Sequence, residues 1–440
     1  MVIVGGGPLV TRDDGCPFLP DGAVAIEAGR IVAVGPTEEI RRRWGEADFL
    51  DARGGLIHPG LINGHMHFYS TFARGFGGKG GSAATFTELL ERLWWRLDKA
   101  LTLEDCYYSA LYAVVEAVKC GCTTLMDHHA SPRAVRGSLF EVARAVLDGG
   151  LAASLCYEVS DRDGPDVAAE GIAENRAFID HVAASGEPRL AAAFGLHASM
   201  TLSDATLERC AAAGEGAGFH VHVAEGPEDE RLCRERHGLS VVGRLQRFGL
   251  LGPRSLAIHC VHVDDDEKEL LAETETAVVH NPESNMGNAV GFAPVLDLMK
   301  RGVLVGLGTD GYVSDLFRSL ALANALQKQG LADPDAGWTE VPTMLFRNNA
   351  RIADRHFSLP RGRLVPGFAG DVIVIDYRPP TELSEKNVNG HLLFGPGAVN
   401  VVATVASGEV LMKDRCLTRL DEPAIAARCR ELARAVHGRF

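Results

Sequence analysis

His65 and His67 stand two residues apart behind a Pro-Gly turn, in PGLINGHMH. On an extended segment, side chains two apart point to the same side, so both imidazoles can bind one metal ion. A second cluster runs His220-Val221-His222-Val223-Ala224-Glu225. His220 and His222 share a strand face, so one can be a ligand and the other structural. His222 closes the apolar run and is taken as the ligand, with His220 a buried supporting residue. Glu225 lies just past the strand end, within reach of a metal-bound water. His259 closes SLAIH before Cys260, and Asp310 closes VLVGLGTD. There Asp310 can bind the metal and accept a proton from its water, while His259 can hydrogen-bond the attacked atom or the hydroxide. The plain alternative for Asp310 is an N-cap of the helix that follows.

Nitrogen donors with one carboxylate form a set that suits Zn2+ first, then Fe2+ or Mn2+. His65, His67, His222 and Asp310 leave a position for water, whose pKa zinc lowers to about 7. The hydroxide attacks an electrophilic carbon, and Glu225 carries the proton to the leaving nitrogen. No lysine lies between Lys119 and Lys268. A carbamylated lysine bridging two metals on the third or fourth strand is therefore excluded, and the fourth strand ends in His197 instead. One divalent metal is the expectation.

These residues need a scaffold that brings distant segments to one point. Candidate strands fall near 61–65, 122–128, 151–157, 189–197, 218–222, 255–259, 276–281 and 303–310. Amphipathic helical stretches lie between them, among them 102–119, 133–148, 166–184, 203–215 and 228–247. Strand then helix, repeated eight times, predicts an α/β fold of the (β/α)8 type. Seven of the eight strands end in or just before His or Asp, and barrel enzymes carry their chemistry at those ends. One histidine there is ordinarily a hydrogen-bonded core residue; so many together point to a site. The first 57 residues and the segment after 361 share a different texture, short strands joined by polar turns. They predict a small β-sandwich built from residues 1–57 and 361–421, flanking a barrel over 58–360, with a terminal helix in 422–440.

Lys plus Arg number 44 against 58 Asp plus Glu, a net charge of -14. That balance argues against nucleic acid or an anionic membrane as the main partner. No apolar run reaches the roughly 18 residues of a membrane span, and the N-terminus lacks the features of a signal peptide. Ten scattered cysteines without a CxxC pair read as reduced thiols in a cytoplasmic protein. Val4-Gly5-Gly6-Gly7-Pro8 lacks GxGxxG spacing and is read as a turn rather than a phosphate loop. GFGGKGGS at 75–82 lacks the GK[ST] ending and is read as a mobile loop after the first strand.

PGLINGHMH, HVHVAE, AIHCVHV, VVHNPESN and GLGTDG, in this order, resemble the aminohydrolase branch of the amidohydrolase superfamily. GRLVPGFAGDVIVID looks like that branch's return into the β-sandwich. HMHFYSTFARG, RLWWRLDKALTLEDCYYSAL, DHHASP and VVHNPESNMGNAVG are similar to the SsnA-type aminohydrolases. By position, the resemblance implies His65, His67, His222 and Asp310 as metal ligands, with Glu225, His259 and Asp310 in catalysis. It implies that His197 contacts the substrate ring, and that Tyr69, Asp127, His128 and His129 bind substrate as well. The implied reaction is hydrolytic deamination of an amino-substituted purine, pterin or pyrimidine. The alternatives are hydrolysis of a chloro-heterocycle or cyclic amide by the same centre, or a non-catalytic scaffold that keeps the fold. The expected partners are a small heterocycle and further copies of the chain, in a dimer or larger homo-oligomer.

Overall fold

The computed structural model describes residues 1–76 and 81–440. Residues 77–80 of the expected loop at 75–82 lie outside the described residues. Eight short parallel strands form a barrel. The first three are Leu61–Met66, Cys122–Asp127 and Ala152–Leu155. The fourth is Leu190–Ala192 continuing as Phe194–Ala198, and the fifth is Phe219–Val223. Leu256–His259, Ala277–His280 and Val305–Leu307 complete the set. All are buried on both faces, by helices outside and packed side chains within, so they read as apolar runs rather than alternating ones. Two seams close the ring. Between the third and fourth strands, the His197 amide donates to Val159 O at 3.0 Å. Between the eighth and first, the Thr309 and Asp310 amides both donate to His65 O at 3.0 Å.

The helices start and stop where local chemistry dictates. Leu103–Lys119 begins with a reciprocal cap: the Thr102 hydroxyl accepts from the Asp105 amide, and the Asp105 carboxylate accepts from the Thr102 amide. The helix expected over 133–148 starts only at Ser138, after Gly137 at φ 84°. The single helix expected over 228–247 is two, Pro227–His237 and Val241–Arg247. Gly238 ends the first in the left-handed conformation, and the Ser240 hydroxyl caps the second. After the first strand the chain forms a short 3-10 turn, Phe68–Ala73, and then a helical run from Phe86 to Ala100 that includes a π-turn at Leu90–Trp94. No helix among the described residues is long and apolar enough to cross a membrane.

Strands from both ends of the chain join one nine-stranded sheet. Leu56–Pro59, just before the barrel, pairs antiparallel with Val372–Ile375, just after it, with Val372 opposite Pro59. The sheet folds over its own core, where Val4, Val24 and Ile26 pack with Val374, Ala403 and Val405. Its other side joins the barrel core through Ile373, Val401 and Met412, which cluster with Val114 and Val118. Val4 to Pro8, expected as a turn, lie within the strand Val2–Val10. Gly5 is needed there because a Cβ would lie 2.6 Å from that of Ala23, and the register shifts on both sides of Gly7 mark a bulged strand. All ten cysteines are free.

A buried ion pair ties barrel to sheet. Arg361, 1% exposed, donates to Asp371 at 2.9 Å and to Pro188 O at 2.9 Å. Asp371 in turn accepts from the Ser407 amide at 2.7 Å. Removing one partner of such a pair leaves an uncompensated buried charge, at a cost of about 3–5 kcal/mol. Arg361→Met is therefore expected to lower the free energy of unfolding by that amount in denaturant titrations. A loss comparable to that of a surface pair, under about 1 kcal/mol, would mean the tie lies elsewhere.

Candidate metal centre and cleft

The C-terminal ends of the barrel strands converge on one buried cluster. His65 and His67 come from the end of the first strand, His222 from the fifth, His259 from the sixth, and Asp310 follows the eighth. His259 and Asp310 sit at φ 72° and 55°. Side chains other than Gly rarely adopt that region, and such strain concentrates at functional sites. Asp310 is not an N-cap: the next helix, Leu316–Leu331, is capped by Asp315.

Each imidazole has its Nδ1 engaged away from the centre. His67 Nδ1 donates to His128 O at 2.5 Å, and His222 Nδ1 donates to His197 O at 3.0 Å. His259 Nδ1 faces Asn285 Oδ1 at 2.7 Å, and His65 Nδ1 faces His220 Nε2 at 2.9 Å. A neutral imidazole has one N–H, so a ring that donates from Nδ1 keeps a lone pair on Nε2. Those Nε2 atoms point inward. His67 Nε2 lies 3.3 Å from His222 Nε2 and 3.1 Å from Asp310 Oδ1. The Nε2 atoms of His65 and His259 are buried without a hydrogen-bond partner. Inward lone pairs beside a carboxylate are the arrangement a divalent cation needs. Ligand atoms of His65, His67 and His222, and likewise of His65, His259 and Asp310, lie within 4.8 Å of one another. The residues present thus fit a metal ion.

Without an ion, a proton on His67 partly fills the place of a cation. Burial opposes charge on His67, but the hydrogen bond and charge of Asp310 outweigh it and raise that ring to about 9. Burial also opposes charge on Asp310, yet His65 and His67 hold its carboxyl well below the usual range. The cluster therefore draws positive charge inward. Burial pushes the Glu225 carboxyl up, and the neighbouring Asp310 charge adds to the effect.

Glu225 Oε2 and Asp310 Oδ2 each lie 3.5 Å from His259 Nε2. Asn288 donates to Glu225 at 3.4 Å, and Ser284 donates to Asp310. This group borders a cleft of about 780 Å³, counting its open mouth, walled by Phe86, Leu90, Trp94, Trp95, Met200 and Tyr312. Tyr69 and His197 line the cleft as well. Asp127, His128 and His129 do not: each is fully buried, one layer behind the wall. Asp127 accepts from the Phe68 amide at 2.7 Å, and His129 bonds Ser131 at 3.0 Å. His128 Nε2 faces the carbonyls of Leu196 and His220, both at 3.1 Å, and its Nδ1 faces the Glu158 carboxylate at 3.2 Å. The atoms facing both of its nitrogens are thus acceptors. Burial opposes charge on Glu158, but His197 and His128 hold its carboxyl well below the usual range. Sequence reasoning passed over Glu158, which lines the cleft. The signal was present: the third strand is the one that ends without His or Asp, and Glu158 follows it directly.

His220 faces His65 from behind at 2.9 Å, the place of a partner that orients a ligand. Removing such a partner typically costs 10–100-fold in metal affinity. His220→Ala is expected to weaken divalent-cation affinity by about that factor in chelator competition, and His222→Ala to lose most of the bound ion. Equal affinity in His220→Ala and the unaltered protein would contradict the tautomer argument.

The amidohydrolase family profile matches residues 56–411, and an imidazolonepropionase-like composite domain of bacteria matches residues 22–47. A 5'-deoxyadenosine deaminase from Methanosarcina mazei is 31% identical, covering 98% of this chain and 97% of that protein. The zinc-bound structure of an adenosine deaminase from Xanthomonas campestris superposes with a TM-score of 0.88 at 24% identity, covering 99% of this chain and 98% of that one. An atrazine chlorohydrolase from Arthrobacter aurescens, also with zinc, gives 0.82 at 23% identity, covering 98% of this chain and 100% of that one. The two structures share the fold. The match over most of the chain, together with the full-length relative, shows that the chain belongs to the amidohydrolase family.

Proposed function

We propose that the protein is a metal-dependent hydrolase that deaminates an amino-substituted heterocycle, releasing ammonia. The observation that carries this reading is the Glu225, His259 and Asp310 group, which borders both the inward-facing histidines and a cleft walled by aromatic rings. In this reading His65, His67, His222 and Asp310 hold one divalent ion, Zn2+ first by donor type. When bound, such an ion supplies Lewis-acid activation of water and of the attacked carbon. Ten free thiols fit the cytoplasm as its compartment.

The remaining work falls to side chains. Glu225 takes a proton from the attacking water and gives it to the leaving nitrogen. Its raised proton affinity suits both halves of that transfer. His259 hydrogen-bonds the attacking oxygen between the two carboxylates. Asn288 holds Glu225, and Ser284 fixes the second oxygen of Asp310. Trp94, Trp95 and Phe86 cover a flat ring and exclude water.

Two points favour nitrogen as the leaving atom. An amine needs a proton to depart, and Glu225 supplies one, whereas chloride leaves without it. The relative at 31% identity over nearly the whole chain is named for deaminating 5'-deoxyadenosine, which makes a purine nucleoside the first substrate to try.

The test is ammonia release from aminated purines, pterins and pyrimidines, followed by Glu225→Gln. General acid–base roles are worth about 10²–10⁴ in rate. The variant is expected to lose kcat in that range with metal content and fold unchanged. Near-normal turnover by a fully metallated Glu225→Gln protein would sink the proton-transfer role.

A further inference from the structure

We propose that Glu158 is a specificity-determining residue that accepts hydrogen bonds from N–H or O–H donors on the substrate's edge remote from the leaving nitrogen. The proposal rests on the deaminase reading and names the substrate chemistry that site selects.

Glu158 is 4% exposed and lines the cleft. One carboxylate oxygen faces His128 Nδ1 at 3.2 Å, and the other faces His197 Nε2 at 3.6 Å, beyond hydrogen-bond length. A carboxylate offers about four acceptor positions. Two imidazole N–H groups fill two at most, so acceptor capacity remains at the cleft wall. His128 is held from behind by two carbonyls, which fixes Glu158 in place.

Its carboxylate lies within 4.8 Å of ligand atoms of His197 and His222, but it is not among the groups that meet at His259 Nε2. Glu158 follows the third strand, whereas Glu225, His259 and Asp310 belong to the fifth, sixth and eighth. A ring in the cleft that turns its leaving nitrogen to Glu225 turns another edge to Glu158. A buried acceptor left without a donor costs its desolvation, so a substrate lacking donors there is rejected. Two substrate features supply the same chemistry: the vicinal diol of a pentose, or a ring N–H of a free base. Glu158, Glu225, Glu228, Asp229 and Asp310 together line the cleft, which disfavours an anionic group in either place.

The experiment uses two pairs of compounds with the metal-loaded enzyme. The first pair is 5'-deoxyadenosine and 2',3',5'-trideoxyadenosine, which lacks the diol. The second is adenine and 9-methyladenine, which lacks the N9 proton. The unaltered enzyme is expected to prefer the donor-bearing member of one pair by about 10–100-fold in kcat/KM, the worth of a charged hydrogen bond. The pair that responds identifies the donor. Glu158→Gln should abolish that preference through KM, with kcat and metal content little changed. Glu158→Asp keeps the charge opposite His128 but withdraws the oxygens by one methylene, and it should not restore the preference. The proposal is overturned if neither pair is discriminated, if Glu158→Gln depresses both members equally, or if Glu158→Asp restores full discrimination. Should no compound release ammonia, the deaminase reading fails separately. Calorimetric binding of the same four compounds then decides the role of Glu158: loss of a binding preference in Glu158→Gln supports it, and the absence of any preference overturns it.

Discussion

Four imidazoles cannot face one another in a dry interior unless something takes up their lone pairs, and the rest of this structure follows from that constraint. The protons of His67 and His222 are held at Nδ1 by backbone carbonyls, and the Nδ1 atoms of His259 and His65 face Asn285 and His220. The acceptors sit on the neighbouring strand or in the layer behind, so the tautomers depend on barrel closure. The eighth strand matters most, because two of its amides bond His65 O and so bring Asp310 against the His-Met-His pair. A shift of that seam would part the carboxylate from the rings it balances.

The same geometry divides the cleft by role. Side chains beyond the fifth, sixth and eighth strands gather around Asp310, where the groups lie 3.5 Å apart and burial raises the proton affinity of Glu225. The arc at the third and fourth strands holds Glu158 and His197, backed by His128 and its two carbonyls. Between them the helical run after the first strand brings Trp94 and Trp95 over the opening. In the proposed reading, one side moves protons and the other reads a ring edge.

Much of this was legible in the chain. Histidines two apart at the end of an apolar run, and a carboxylate closing another, need strands to converge, so barrel and ligand candidates followed from one pattern. Short strands joined by polar turns mark both ends of the chain, but the pairing of Leu56–Pro59 with Val372–Ile375 is long-range and leaves no local mark. The break between Pro227–His237 and Val241–Arg247 was visible as Gly238 and Ser240, a stop beside a start. The glycine run at Gly5–Gly7 looked like a turn because nothing local reveals the Ala23 Cβ that presses on it. Asp127, His128 and His129 close a strand whose neighbours send His67 and Glu158 to the cleft, yet a strand turns successive side chains to opposite sides, and sequence alone does not say which residue lies in the wall. Glu158 is harder to read for a chemical reason: a lone glutamate after an apolar run carries no ligand spacing.

In the proposed function, the inward Nε2 set holds one metal ion on which deamination depends. The most direct test is to strip the protein with chelator, restore zinc in steps, and follow bound metal and ammonia release from a responsive aminated heterocycle in the same samples. The account predicts no release from the stripped protein, a linear rise, and a plateau at one ion per chain. Turnover by the metal-free protein, or a plateau only at two ions, would contradict it.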